Sequence, residues 1–241
     1  TSYEAFPYRG SVLAVHVVRL FTLLWGAGAV VGAYAVAREV APERPGLAVG
    51  SAAVSALNPH WVFISSVVNN DATATCLCTL TLWSTIRLFK RAGDGRHAST
   101  HAHLVPAALL GLLLGLSLLS KLSALALLPL VALALGLTWW RERDIGATVL
   151  RGGIILGVAG LVAGWWYVRN WQLYGDPLGW SVWLIDIGVQ RIGLPELLRQ
   201  FGHVATSYWS PYDDLFAKEI SWEIGRRRVG KECRSRWSPY H

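Results

Sequence analysis

Residues 58–72 read NPHWVFISSVVNNDA, and the reading of this stretch decides the fold. An apolar run stops at Asn69, Asn70 and Asp71, and a second apolar run begins at Ala72. In a water-soluble protein this would be a helix, a turn and a helix. In a membrane protein the same residues bring two spans to the surface and hold a carboxylate at the water interface. The rest of the chain selects the second reading.

Of 241 residues, 53% are hydrophobic and 15% are charged, whereas soluble domains carry roughly 25% charged residues. The 13 Trp residues point the same way, because Trp concentrates where bilayer meets water. Six segments approach the ~20 mainly apolar residues that a spanning helix needs: 11–36, 47–68, 72–89, 104–119, 122–140 and 145–168. The expected fold class is therefore all-α, a polytopic transmembrane helical bundle of about six spans. Small residues recur in the first span (Gly26, Gly28, Gly32) and in the last (Gly153, Gly157, Gly160, Gly164). They are expected to let backbones approach closely, since lipid leaves little hydrophobic drive between helices.

The loops divide into two sets. Arg38 and Arg44 follow the first segment, Arg87, Lys90, Arg91 and Arg96 end the third, and Arg141, Arg143 and Arg151 follow the fifth. These basic loops should face the cytoplasm by the positive-inside rule. The alternating set holds the Asn69-Asn70-Asp71 turn, the Ser120-Lys121 turn and the stretch after Arg169. Residues distant in sequence, among them Glu4, Asp71, Lys121, Arg169 and Asp176, are thereby assigned to one outer face. The formal charge of +7 lies in short clusters between apolar runs, which is membrane topology and not a nucleic-acid surface.

Three regions follow: 1–179 as the transmembrane domain, 180–217 as an outer-face interfacial segment, and 218–241 as a basic tail foreign to the rest. Trp180, Trp183, Leu184, Ile187 and Ile192 form an amphipathic stretch too short and too charged to span, so an interfacial amphipathic helix is expected after the last span. The chain opens on Thr1 and has no Met, so it reads as a fragment with sequence missing upstream.

Few residues have the chemistry for a site. Asp71 can serve as a general base or hold a divalent metal, and it can equally cap the helix behind it. Lys121 suits a phosphate group, and it can also simply snorkel to water. Arg169 and Asn170 follow Trp165-Trp166-Tyr167; the guanidinium fork fits phosphate, and an interfacial anchor is the plainer role. Tyr174-Gly175-Asp176-Pro177 is a turn, which Asp176 would stabilise. Arg19, with His16 three residues before it, lies inside the first span. Neither His16 nor His60 sits in a haem or zinc motif, and His97, His101 and His103 read as a solvated loop. Cys76 and Cys78 read as small apolar residues. No cofactor is specified.

Four stretches resemble the GT-C type membrane glycosyltransferases, in particular the family 39 and aminoarabinose-transferase-like proteins related to the protein O-mannosyltransferases. They are Arg19-Leu20 opening a span that ends in Ala37-Arg38-Glu39, Asn58-Pro59 through Asn69-Asn70-Asp71, residues 111–129 (GLLLGLSLLSKLSALALLP) and residues 165–177 (WWYVRNWQLYGDP). The resemblance implies a multi-pass protein of the bacterial plasma (inner) membrane. It implies transfer of a sugar from a polyprenyl-phosphate donor to a lipid or protein acceptor on the outer face. It makes Asp71 a catalytic residue and Asn69, Asn70, Lys121, Arg169, Asn170 and Tyr174 substrate-binding residues, with Lys121 and Arg169 toward the lipid phosphate. It also implies a further catalytic acid in the first outer loop, for which no counterpart is visible. Membrane lipids are the other expected partners, and nucleic acid is not one. Two readings compete: a transporter, which would place charges near the bilayer midplane, and an inactive truncated remnant.

Overall fold

The computed structural model describes residues 8–92 and 100–181, with 184, 193–195 and 198, and of 92 and 100–103 the backbone alone. The seven α-helices named below belong to the first of two compact units, 1–189. No strand occurs among the described residues. The helices are α1 (Gly10–Val40), α2 (Pro45–Ala56), α3 (Pro59–Ser66), α4 (Asp71–Ala92), α5 (Thr100–Ser120), α6 (Leu127–Glu142) and α7 (Ile145–Tyr174), with a 3-10 turn over Leu122–Ala126 before α6. The amphipathic stretch after Trp180 and the basic tail fall almost wholly outside the described residues.

Three helical stretches are long and apolar enough to cross a bilayer: Gly10–Val40, Leu122–Glu142 and Ile145–Tyr174. A fourth is possible by length if α2 and α3 count as one broken span, bent by 60°. Against the expectation of about six spans, length and composition alone support three or four among the described residues. Local chemistry explains the difference. Asn58 precedes Pro59, and a residue before proline is driven out of the helical region. Its ψ is 117°, and its side chain accepts a bond from the Trp61 amide at 3.1 Å, starting a new helix with proline in the first turn. In α5 only Leu104–Ser120 is apolar. Helix α4 is long enough but carries Thr73, Thr75, Thr79, Thr81, Ser84 and Thr85 beside its terminal charges.

The hydroxyls of Thr79, Thr81 and Thr85 have partners. Thr81 and Thr85 bond the carbonyls of Leu77 and Thr81, both at 2.8 Å, and Thr81 meets Ser117 of α5 at 3.1 Å. Helix α4 packs against α1, α5 and α6 and buries Ala72, Cys76, Leu77, Thr81, Ser84, Thr85 and Leu88. It is an interior helix, so its polar groups are satisfied by protein and need not face lipid. The core continues through Leu110, Leu114, Val131, Ile155 and Ala159. The exterior is apolar: Leu161 is 83% exposed and Leu24 71% exposed. In water such a surface would aggregate; in a bilayer it is the solvated face.

The glycines behave differently in the two helices. A Cβ on Gly26, Gly28 or Gly32 would stand 2.5 Å from Ser65 Oγ, 2.8 Å from Cys76 Sγ and 2.9 Å from Thr79 Cγ2, so α1 does use them for close approach. Gly153, Gly157, Gly160 and Gly164 of α7 meet nothing within 4 Å, which corrects the expectation for the last span. The tight seam of α7 is made by α5 instead. A Cβ on Gly111 would lie 2.6 Å from the Ile155 carbonyl oxygen, and one on Gly115 2.8 Å from Val162 Cβ.

Candidate functional site

The first turn of α4 and the end of α5 meet at one end of the bundle, and three polar residues in a row build the contact. Asn69 lies between α3 and α4. Its Nδ2 donates to the Ile64 carbonyl at 3.1 Å, satisfying an orphan carbonyl of α3. Its Oδ1 accepts from the amides of Asp71 at 3.0 Å and Ala72 at 3.4 Å. Asn69 therefore caps α4, and Asp71 stands inside the first turn. The expected alternative, Asp71 as the cap, is corrected: its carboxylate is free of that duty and still benefits from the positive end of the helix.

Asn70 reaches across to α5, donating from Nδ2 to the Ser120 carbonyl at 2.9 Å. Asp71 follows it and accepts a charge-assisted hydrogen bond on Oδ1 from Lys121 Nζ. Lys121 is the extended residue between α5 and the 3-10 turn, with φ −159° and ψ 138°. That break swings its side chain out of the helical path and toward α4. Fifty residues separate the partners in sequence. The side chains of Lys121 and Asp71 are 46% and 35% exposed. This pair is an accessible polar site, not a sealed structural bridge, and adds little stability by itself.

Helix α7 is tied to the same end by Tyr167, whose hydroxyl donates to the Leu118 carbonyl at 2.9 Å. Sequence reading placed Tyr167 only in an aromatic belt; no local signal marks its partner 49 residues away. The residues after it diverge. Asn170 is buried, and its Nδ2 lies 3.5 Å from the Pro177 carbonyl, folding the chain back after α7. Arg169 is exposed and lies over the Trp166 ring at 5.2 Å, the geometry of an interfacial anchor. Tyr174 closes α7 and is 52% exposed. The structure thus brings Asn69, Asn70, Asp71 and Lys121 into one cluster. It does not join Arg169, Asn170 or Tyr174 to that cluster by any described contact. Glu4 lies outside the described residues.

Past α7, Gly175 takes the left-handed conformation (φ 66°) that ends the helix. Asp176 then accepts from the Ser181 amide at 2.7 Å and the Leu178 amide at 3.0 Å. The Ser181 amide, ahead of smaller contributions from neighbouring donors, holds its carboxyl below the usual range. Asp176 stabilises a turn, as expected.

The opposite end collects the basic loops. Lys90 donates to the Glu39 carbonyl and sits 4.0 Å from its carboxylate, joining α4 to α1. Arg151 pairs with Glu142 at 2.6 Å, joining α7 to α6, and both side chains are mostly buried. The loops expected on one side and the turns expected on the other do lie at two separate ends of the bundle. Among the described residues, no group of three or more His, Cys, Asp or Glu side chains could hold a metal.

The family model described as dolichyl-phosphate-mannose-protein mannosyltransferase matches residues 14–167, a span that includes Asn69, Asn70, Asp71, Lys121 and Tyr167. No curated protein and no solved structure matches the chain.

Proposed function

The chain belongs to the dolichyl-phosphate-mannose-protein mannosyltransferase family, a family of GT-C type membrane glycosyltransferases, and from that premise we propose that it transfers a sugar from a polyprenyl-phosphate donor to a hydroxyl acceptor at the end of the bundle that carries Asp71 and Lys121. The observation that carries this reading is the accessible Asp71–Lys121 pair, held between two helix breaks. An ammonium group is a good partner for a phosphate oxygen, and a departing lipid phosphate needs positive charge beside it. When Lys121 turns to phosphate, Asp71 is released to accept a hydrogen bond, and then the proton, from the acceptor hydroxyl. Asn69 and Asn70 hold the carboxylate and the Ser120 carbonyl in place during that exchange. Arg169, on its Trp166 perch, and the exposed Tyr174 are available to a donor lying along α7, and the buried Asn170 would act by holding the turn beside them.

This end is proposed to face outward, in the plasma membrane of a bacterium, with the basic end toward the cytoplasm. Helices α4 and α5 and the bent α2–α3 pair complete six crossings in this reading. The interior position of α4 supports it, because a span shielded from lipid tolerates hydroxyls that an exposed one does not.

The test is transfer from a radiolabelled polyprenyl-phosphate sugar by the protein in membranes. Asp71→Asn should lower turnover by about 100-fold, the scale of a lost general base. Lys121→Gln should raise the KM for the donor by about tenfold, as for one hydrogen bond to a charged group. Unchanged turnover in Asp71→Asn would remove that residue from the mechanism. Separately, Asn70→Cys should react with a membrane-impermeant maleimide from outside; labelling only after permeabilisation reverses the orientation.

A further inference from the structure

The end of the bundle far from Asp71 contains a cavity of about 480 Å³ lined by Glu39, Arg87, Lys90, Arg91 and Arg141. Its volume falls within the range of ligand pockets, roughly 300–1,000 Å³. Sixteen helical residues separate Asp71 from Arg87 along α4, about 24 Å, so this is a different site. The lining holds four cations and one carboxylate, and the carboxylate is taken: Glu39 lies against Lys90. Arg87, Arg91 and Arg141 have no acidic partner among the described residues. Two of these arginines are held by aromatic faces instead, Arg87 over Trp83 at 4.9 Å and Arg141 over Phe89 at 5.8 Å. Stacking of this kind fixes the guanidinium plane and leaves its edge donors free.

The excess of cations in the lining favours an anionic ligand, and what surrounds the cavity selects its source. It opens at the ends of α1 and α6, two of the stretches long enough to span a membrane. Val40, Leu137, Trp139 and Trp140 are exposed on the same helix ends. In a bilayer crossed by those stretches, the cavity would lie where headgroups meet acyl chains, with apolar side chains beside it. We propose that it binds the phosphate headgroup of an anionic phospholipid, the arginines taking the phosphate oxygens and the apolar helix ends taking the chains. The site is independent of the sugar-transfer reading and would stand if that reading failed.

The experiment uses the full chain purified in neutral detergent, with thermal unfolding followed during titration with phosphatidylglycerol, phosphatidylcholine or inorganic phosphate. Phosphatidylglycerol alone should stabilise the protein saturably. Removing both stacked arginines, Arg87→Gln with Arg141→Gln, should weaken its apparent Kd by about 30-fold, taking ~1 kcal/mol per basic residue near an anionic lipid. Arg87→Lys with Arg141→Lys keeps the charge but loses the stacked fork, so its affinity should fall between the parent and the glutamine pair, which guards against a fold defect in the glutamine pair. Arg19→Gln, exposed and far along α1, should change nothing. Equal stabilisation by phosphatidylcholine, or undiminished phosphatidylglycerol affinity in the glutamine pair, would overturn the proposal and leave the cations with topology and helix dipoles alone. Stabilisation by inorganic phosphate at the same concentrations would also overturn it, assigning the cavity to a soluble phosphate.

Discussion

Gly111→Ala tests what holds the bundle together. A Cβ at this position would stand 2.6 Å from the Ile155 carbonyl oxygen, 3.1 Å from Ile155 Cα and 3.0 Å from Val158 Cβ. Two of the three obstacles are backbone, so no side-chain rotation relieves them. To restore ordinary contact near 3.4 Å, α5 and α7 must separate locally by about 0.8 Å. A radial gap of that size forfeits roughly a quarter to a half of each dispersion contact across the seam. The seam is well filled, since Leu110, Leu114 and Ile155 are fully buried, and overpacking of such sites costs about 1–3 kcal/mol. Alanine returns about 1 kcal/mol of helix propensity, leaving a net loss of up to about 2 kcal/mol and a gap of about 1–3 kcal/mol from a site that gains propensity alone. Gly157→Ala is the matched control: its Cβ meets nothing within 4 Å, so only the propensity gain remains. Reversible unfolding in mixed micelles, followed by helical circular dichroism, compares the two. Equal stability of Gly111→Ala and Gly157→Ala would refute close backbone packing as the source of the α5–α7 contact.

Other perturbations separate structural from functional polar groups. Arg151→Leu strands Glu142, whose partner is mostly buried, and should cost about 3 kcal/mol; adding Glu142→Gln should recover much of it in the same unfolding assay. Asn69→Ala removes the cap of α4 and the bond to the Ile64 carbonyl, costing about 1–2 kcal/mol, and should lower sugar transfer by loosening Asp71. The turn at Asp176 should be sensitive to acid. Its carboxyl is held below the usual range by the Ser181 amide, so its contribution is complete above the ordinary carboxylate pKa. That contribution is lost as pH falls through the lower, folded value. Trp180 fluorescence should report the loss, and Asp176→Asn should flatten the acid limb; an unchanged limb would sever the link.

Much of the site was legible because it depends on local chemistry. Asn-Asn-Asp ends one apolar run and opens another, and Ser-Lys does the same 50 residues later. Alternating basic loops place both turns at one end. What the sequence concealed follows from tertiary packing. Asn69 and Asp71 are both good capping residues by type, and only the backbone path shows that Asn69 takes the amides. Arg169 suits a phosphate or an interfacial anchor by type, and only the folded chain shows it stacked on Trp166. The glycines of α7 form a regular small-residue stripe, yet the seam runs through Gly111 and Gly115 of α5. Periodicity reports which residues share a face, not which face has a neighbour.

The amino-acid sequence alone determined an all-helical membrane protein, its two polar ends and its family resemblance. These follow from hydropathy, turn chemistry and charge, which act within about 20 residues of chain. Only the tertiary structure decided that 58–72 holds the second helix of a bent pair and leads into an interior helix. It likewise decided that Asp71 faces Lys121 instead of its own helix terminus, and that the ends of α1, α4 and α6 line one cavity. Those outcomes depend on which helices become neighbours, a choice made by the complementarity of whole surfaces that no single stretch encodes.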